Sequence, residues 1–137
     1  MKRILALDVG DVRIGIAVSD IMGIIANPLE TYNRKKTDVD FDYIVNLCKE
    51  REVGEIVVGL PLSMNAQENV QTEKTRLFVE TLKTKTDIPI KYVDERLTSV
   101  AAERLLIDGG VRRENRKKVI DKVAATLILQ SYLDFKK

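Results

Sequence analysis

Short apolar runs alternate with polar breaks along the chain. Ile4–Leu7 and Ile14–Val18 are rich in Ile, Leu, Val and Ala and bounded by turn residues, so each predicts a strand. Asp8-Val9-Gly10-Asp11 separates them, which predicts a hairpin with Gly10 giving backbone freedom at the bend. Gly23–Thr31 predicts a third strand. It is interrupted by Asn27-Pro28, and because proline cannot donate to a ladder the strand belongs at the sheet edge. Phe41, Ile44, Val45 and Cys48 recur at the spacing of a first amphipathic helix, with Thr37 or Asp38 at its cap and Gly54 just past its end. Glu55–Leu60 predicts a buried fourth strand stopped by Pro61. Val70, Leu77, Phe78 and Leu82 predict a second helix, and Pro89–Asp94 a fifth strand. Thr98 or Ser99 caps a third helix with Ala101, Ala102, Leu105 and Leu106 inward, ended by Gly109-Gly110. On the last helix Ile120, Ala124, Leu127, Ile128 and Ser131 share a face.

This order, β-β-β-α-β-α-β-α-α, contains no repeat, low-complexity tract or linker, and 137 residues fit one domain spanning 1–137. Right-handed crossovers place the first, fourth and fifth strands side by side and parallel, and the hairpins add the second and third antiparallel to the first. The expected architecture is a mixed five-stranded sheet in the order 3-2-1-4-5, with helices on both faces.

Composition narrows the chemistry. The chain has no histidine and one cysteine, Cys48, which removes His-based zinc sites, Ser-His-Asp and Cys-His systems, thiolate clusters and any internal disulfide. Carboxylate and water ligation then favours Mg²⁺ or Mn²⁺. No apolar run approaches a membrane span and no signal-like segment opens the chain, so a cytoplasmic protein is expected. Net charge is only +2, but Arg112–Lys118 (RRENRKK) and Arg34-Lys35-Lys36 are basic clusters, each either a nucleic-acid footprint or a solvated face.

Ligands of such a sheet gather at the carboxyl ends of its parallel strands. Asp8 ends the first strand and shares a face with Ile4 and Ala6, while Asp94 and Glu95 end the fifth. The strand between ends in Gly59-Leu60-Pro61, and Gly59 leaves a floor without a side chain. A third acid is Asp121 on the last helix, where Ala124 and Ala125 allow close approach and Lys117 and Lys118 stand one turn earlier. Acids for metal beside lysines for phosphate suit phosphodiester cleavage. Each acid alone has a plainer reading: Asp8 as a turn former bonding the Gly10 amide, Asp94 and Glu95 as helix-opening charges, Asp121 as an exposed helix acid.

Taken together, LDVGDVRIGIAVSD at Leu7–Asp20, VVGLP at Val57–Pro61, VDERLTS at Val93–Ser99 and KKVIDKVAATLILQSYL at Lys117–Leu133 resemble the YqgF (RuvX-like) family over nearly the whole chain. That family is described as pre-16S ribosomal RNA nucleases or Holliday-junction resolvases. The resemblance implies a ribonuclease H-like fold and cleavage by metal-activated water. Asp8, Glu95 and Asp121 are then the catalytic, metal-holding acids, with Asp94 an adjacent alternative ligand, and Arg13, Arg96 and Thr98 make phosphate contacts. Asn65-Ala66 stands where the family commonly has Asp-Gly, and related junction resolvases carry an acid at the end of the fourth strand where this chain has Gly-Leu-Pro.

The implied mechanism uses one or two Mg²⁺ or Mn²⁺ ions, with Arg13, Arg96, Arg116 and Lys117 holding the nucleic-acid strand. Few aromatics favour recognition of shape and backbone over bases. The expected substrate is the end of pre-16S rRNA in ribosome biogenesis, with branched DNA as the alternative. A non-catalytic nucleic-acid or ribosome-associated module is a second class. An actin-like ATPase or sugar kinase is a third, disfavoured because 137 residues supply only one of the two domains it needs. Either a monomer or a homodimer is compatible, with Tyr132 and Phe135 on the last helix as a possible contact face.

Overall fold

In the computed structural model the described residues are 2–63, 65, 67–94 and 113–136, and for 113–122 the backbone alone is described. The elements are β1 (Arg3–Val9), β2 (Arg13–Ser19), β3 (Ala26–Asn33), α1 (Thr37–Glu50), β4 (Val53–Leu60), α2 (Val70–Lys83), β5 (Ile90–Asp94) and α3 (Arg113–Lys136). They build a five-stranded sheet in the order β3-β2-β1-β4-β5. β1 runs antiparallel to β2 and β2 to β3, while β1, β4 and β5 are parallel, as the sequence predicts. The expected helix between Thr98 and Gly109 lies outside the described residues.

Strand alternation divides the core into two layers. Leu5, Leu7, Ile14, Ile16, Ile56 and Val58 face α1 and α2, meeting Phe41, Ile44, Phe78 and Leu82. Ile4, Ala6, Ala17 and Val57 face the other way and meet Ala125, Ile128, Leu129 and Leu133 of α3. The central strands are therefore apolar on both faces, and the helices cover both.

Several local expectations are corrected. Gly23 is not in β3 but in the preceding turn at φ +69°, where Asp20 Oδ1 accepts the Ile24 and Ile25 amides at 2.8 and 2.9 Å. β3 begins at Ala26, and its register slips beside Pro28, where Ile16 pairs Glu30 but Ala17 pairs Pro28. The missing proline N–H thus falls at a bulge on the edge strand. Gly10 serves close approach rather than a left-handed backbone, since a Cβ there would meet the Arg13 carbonyl oxygen at 2.8 Å.

Helix α1 is capped by neither Thr37 nor Asp38; Lys36 is the N-cap and makes no side-chain cap bond. Gly54 does not end it either. The chain reverses at Glu52 (φ 56°), and Gly54 sits inside β4, where a Cβ would meet the Lys2 side chain at 2.8 Å. On α2, Val70 and Leu77 are exposed, while Thr72, Thr75, Phe78, Val79 and Leu82 form the inner face. Asn69 supplies a reciprocal cap with Thr72, so the threonines are spent on helix bonds and can be buried. On α3 the buried face is Ala124, Ala125, Ile128, Leu129 and Leu133; Ser131 is exposed and Leu127 half-buried. The Arg34 of the smaller basic cluster is not a solvated charge, because its Nε faces the buried Asp40 carboxylate at 3.4 Å.

Candidate active site

Asp8 lies near the carboxyl end of β1, half-buried, on the face that α3 covers. Its cross-strand partner on β2 is Gly15, which in turn pairs Thr31 of β3. On the other side β1 pairs β4 up to Leu7–Val58, and the next β4 residue is Gly59, which pairs Val93 of β5. Asp8 is therefore flanked across the sheet by two glycines. Adjacent strands lie about 4.8 Å apart, so the carboxylate stands in a trough about 10 Å wide to which neither cross-strand neighbour adds a side chain. The Gly59 floor was legible in sequence. Gly15 was not, because only the hairpin register brings it opposite Asp8.

The plainer role for Asp8 does not hold, since the Gly10 amide donates to the Arg13 carbonyl at 2.8 Å. Arg13, half-buried at the start of β2, alternates onto the same sheet face as Gly15 and hence as Asp8. Asp94 goes the other way. Ile90 and Tyr92 pack with the α1–α2 layer and Val93 with the α3 layer, so Asp94 belongs to the face opposite Asp8.

Helix α3 is fixed against the sheet by two polar anchors. Gln130 accepts the Ala26 amide at 2.9 Å and donates to the Ile24 carbonyl at 3.1 Å. Glu55 of β4 accepts the Tyr132 hydroxyl at 3.0 Å and faces Lys91 at 3.2 Å and Lys136 at 3.4 Å. Burial alone would raise the Glu55 pKa. The hydrogen bonds from Lys91 and Tyr132 and the charges of Lys136 and Lys91 outweigh it, and hold Glu55 below its usual range. Tyr132 is half-buried with its hydroxyl bound to Glu55, whereas Phe135 is exposed.

Leu133 and Lys136 lie beside Lys2 and Ile4 at the start of β1, so α3 extends back toward the Asp8 end of the sheet. Asp121 is on this helix one turn, about 6 Å, before Ala125. Its side chain lies outside the described set, as do those of Arg116 and Lys117 in the first turns of α3. Glu95, Arg96 and Thr98 also lie outside the described residues. Among the described residues, Asp8 and Arg13 come to one face, Asp94 does not, and no three acids form a cluster. A hard cation suits the donors that are present: Asp8 offers carboxylate oxygen, the chain has no His, and Cys48 is buried in the opposite core layer.

The sheet order β3-β2-β1-β4-β5 with helical layers on both faces is that of the ribonuclease H-like fold. The whole chain superposes on RuvC of T. thermophilus, solved in complex with a Holliday junction substrate, covering 98% of that chain at TM-score 0.63; identity is 12%, so the likeness is one of fold. Residues 2–135 match the RuvX family, described as Holliday junction resolvase, and the chain belongs to that family. A Thermoanaerobacter pseudethanolicus relative is 51% identical, over 98% of each chain. One from Fusobacterium nucleatum is 49% identical, over the full length of both. Both bear the name "Putative pre-16S rRNA nuclease".

Proposed function

We propose that this chain is a metal-dependent nuclease that hydrolyses phosphodiester bonds in precursor ribosomal RNA, acting in the cytoplasm during ribosome biogenesis. The observation that carries the reading is Asp8 in its glycine-flanked trough, at the carboxyl end of the central strand and under α3. The names of the full-length relatives favour RNA as the substrate.

Asp8, Glu95 and Asp121 are the residues to hold Mg²⁺ or Mn²⁺. Such a cation, when bound, polarises the phosphoryl group and makes water a stronger nucleophile at neutral pH. The chain's own residues supply the rest. Gly15 and Gly59 leave room for a phosphate beside Asp8. Arg13, on the same face, neutralises a phosphate oxygen, and Arg96, Thr98, Arg116 and Lys117 hold the flanking backbone. Asp94 is excluded from this ligand set because it belongs to the other face.

Cleavage of precursor 16S rRNA and of a synthetic four-way DNA junction, each with Mn²⁺, tests the reading. The wild-type chain should cut the RNA, and Asp8→Asn should abolish cutting while retaining its circular dichroism and melting profile. An Asp8→Asn chain as active as wild type would end the assignment. Junction cutting without RNA cutting would move the substrate to branched DNA.

A further inference from the structure

The turn that follows Asp8 is exposed at Asp11 and Val12, yet one residue grips both of its arms. The Arg34 amide donates to the Val12 carbonyl at 2.8 Å, and Arg34 Nη1 donates to the Gly10 carbonyl at 2.8 Å. The guanidinium is itself held. Its Nε faces Asp40 Oδ2 at 3.4 Å, and the Phe78 ring lies 5.3 Å beneath it. The Asp40 side chain is only 2% exposed, and its Oδ1 accepts the Tyr32 hydroxyl at 2.9 Å and the Lys35 amide at 2.8 Å. From α2, Gln71 reaches the Val9 carbonyl at 3.5 Å. A buried ion pair is often replaceable by apolar residues without loss of stability, so stability alone is a poor account of this one.

We propose that Arg34, oriented by Asp40, is a positioning residue that clamps the Gly10–Val12 turn and thereby aims Asp8 into its trough. This rests on the reading of Asp8 as a catalytic acid. Only Val9 separates Asp8 from the clamped Gly10, so rotation of the turn is transmitted to the end of β1. A planar guanidinium can bridge a carboxylate and a carbonyl at once. A lysine is a point donor and cannot hold both in the same geometry.

Amide hydrogen exchange and steady-state cleavage are measured on the full chain as wild type, Arg34→Lys and Arg34→Met. The Gly10 and Arg34 amides, which close the turn, should exchange ~10-fold faster in both variants while Leu5 and Val58 in the sheet are unchanged. The kcat should fall ~10–100-fold with KM nearly constant, because Asp8 is misaligned while substrate contacts remain. Turn amides that stay protected, or that change only in step with Leu5 and Val58, would overturn the clamp. An unchanged kcat in Arg34→Met would overturn its effect on Asp8. A wild-type chain that cuts neither substrate, with the turn still opening in the variants, sinks the nuclease reading and reduces Arg34 to a structural contact.

Discussion

Glu52 holds a left-handed backbone, φ 56°, at the reversal between α1 and β4, and its carbonyl accepts the Arg3 amide at 3.1 Å. That region penalises a Cβ by ~1 kcal/mol, so glycine fits it better, less a part lost to the greater freedom of the unfolded chain. Glu52→Gly should therefore raise the melting temperature by roughly 1–4 °C with cleavage unchanged, measured by circular dichroism; a fall would show that the Glu52 side chain contributes more than its backbone costs. Sequence reasoning placed the reversal at Gly54, the only nearby glycine, because glycine is the usual residue there. The glycine is instead needed where the Lys2 side chain crowds β4. A glycine in a sequence marks a missing side chain without saying whether conformation or space requires it. The same ambiguity explains Gly10, expected as a flexible bend and found as a close approach to Arg13. Asp8 was legible because a carboxylate at the end of an apolar run is costly without a role. Gly15 and Arg34 were not, since their partners lie across a pairing register and a 24-residue separation.

At the scale of elements, the strands were legible as apolar runs, and the sheet order followed from crossover handedness. The helical faces were legible only in part. Buried threonines on α2 looked polar, and their caps became visible only in three dimensions. The placement of α3 matters most for the proposed function, because α3 carries Asp121, a proposed metal ligand. Ala6 and Ala17 on the sheet and Ala125 on the helix are fully buried at its contact, so the backbones meet closely. Ala125→Leu should overpack this seam, costing ~1–3 kcal/mol and lifting α3. Cleavage should then fall more than the loss of folded protein explains, a comparison made by assaying well below the melting transition. The Glu55 anchor gives a pH signature at the same seam. Its folded pKa lies below the ordinary 4.5. Its stabilising contribution is thus present above pH 4.5 and disappears as pH falls through the folded value. In Glu55→Gln the melting temperature should be lower near neutrality, and the loss on acidification below pH 4.5 should be shallower than in wild type. Parallel pH profiles for the two proteins would refute a role for the Glu55 charge.

Over the whole molecule, the proposed site would draw on parts far apart in the chain: Asp8 on β1, Glu95 after β5, and Asp121 on a helix that begins at Arg113. If the three carboxylates share one ion as proposed, each costs free energy when crowded with the others until a cation compensates it. This predicts linkage between metal and folding. A cation bound only by the native chain at ~100 times its Kd adds ~2.7 kcal/mol of stability, roughly an 8–10 °C rise in melting temperature for a chain of this size. Mn²⁺ should therefore raise the wild-type melting temperature, and EDTA should reverse the shift. Asp8→Asn should remove most of the response. Without metal that variant should melt close to wild type, so the difference between the two metal titrations carries the test. A rise of the same size in both proteins would place the cation elsewhere on the molecule and leave the trough beside Asp8 without its proposed ligand.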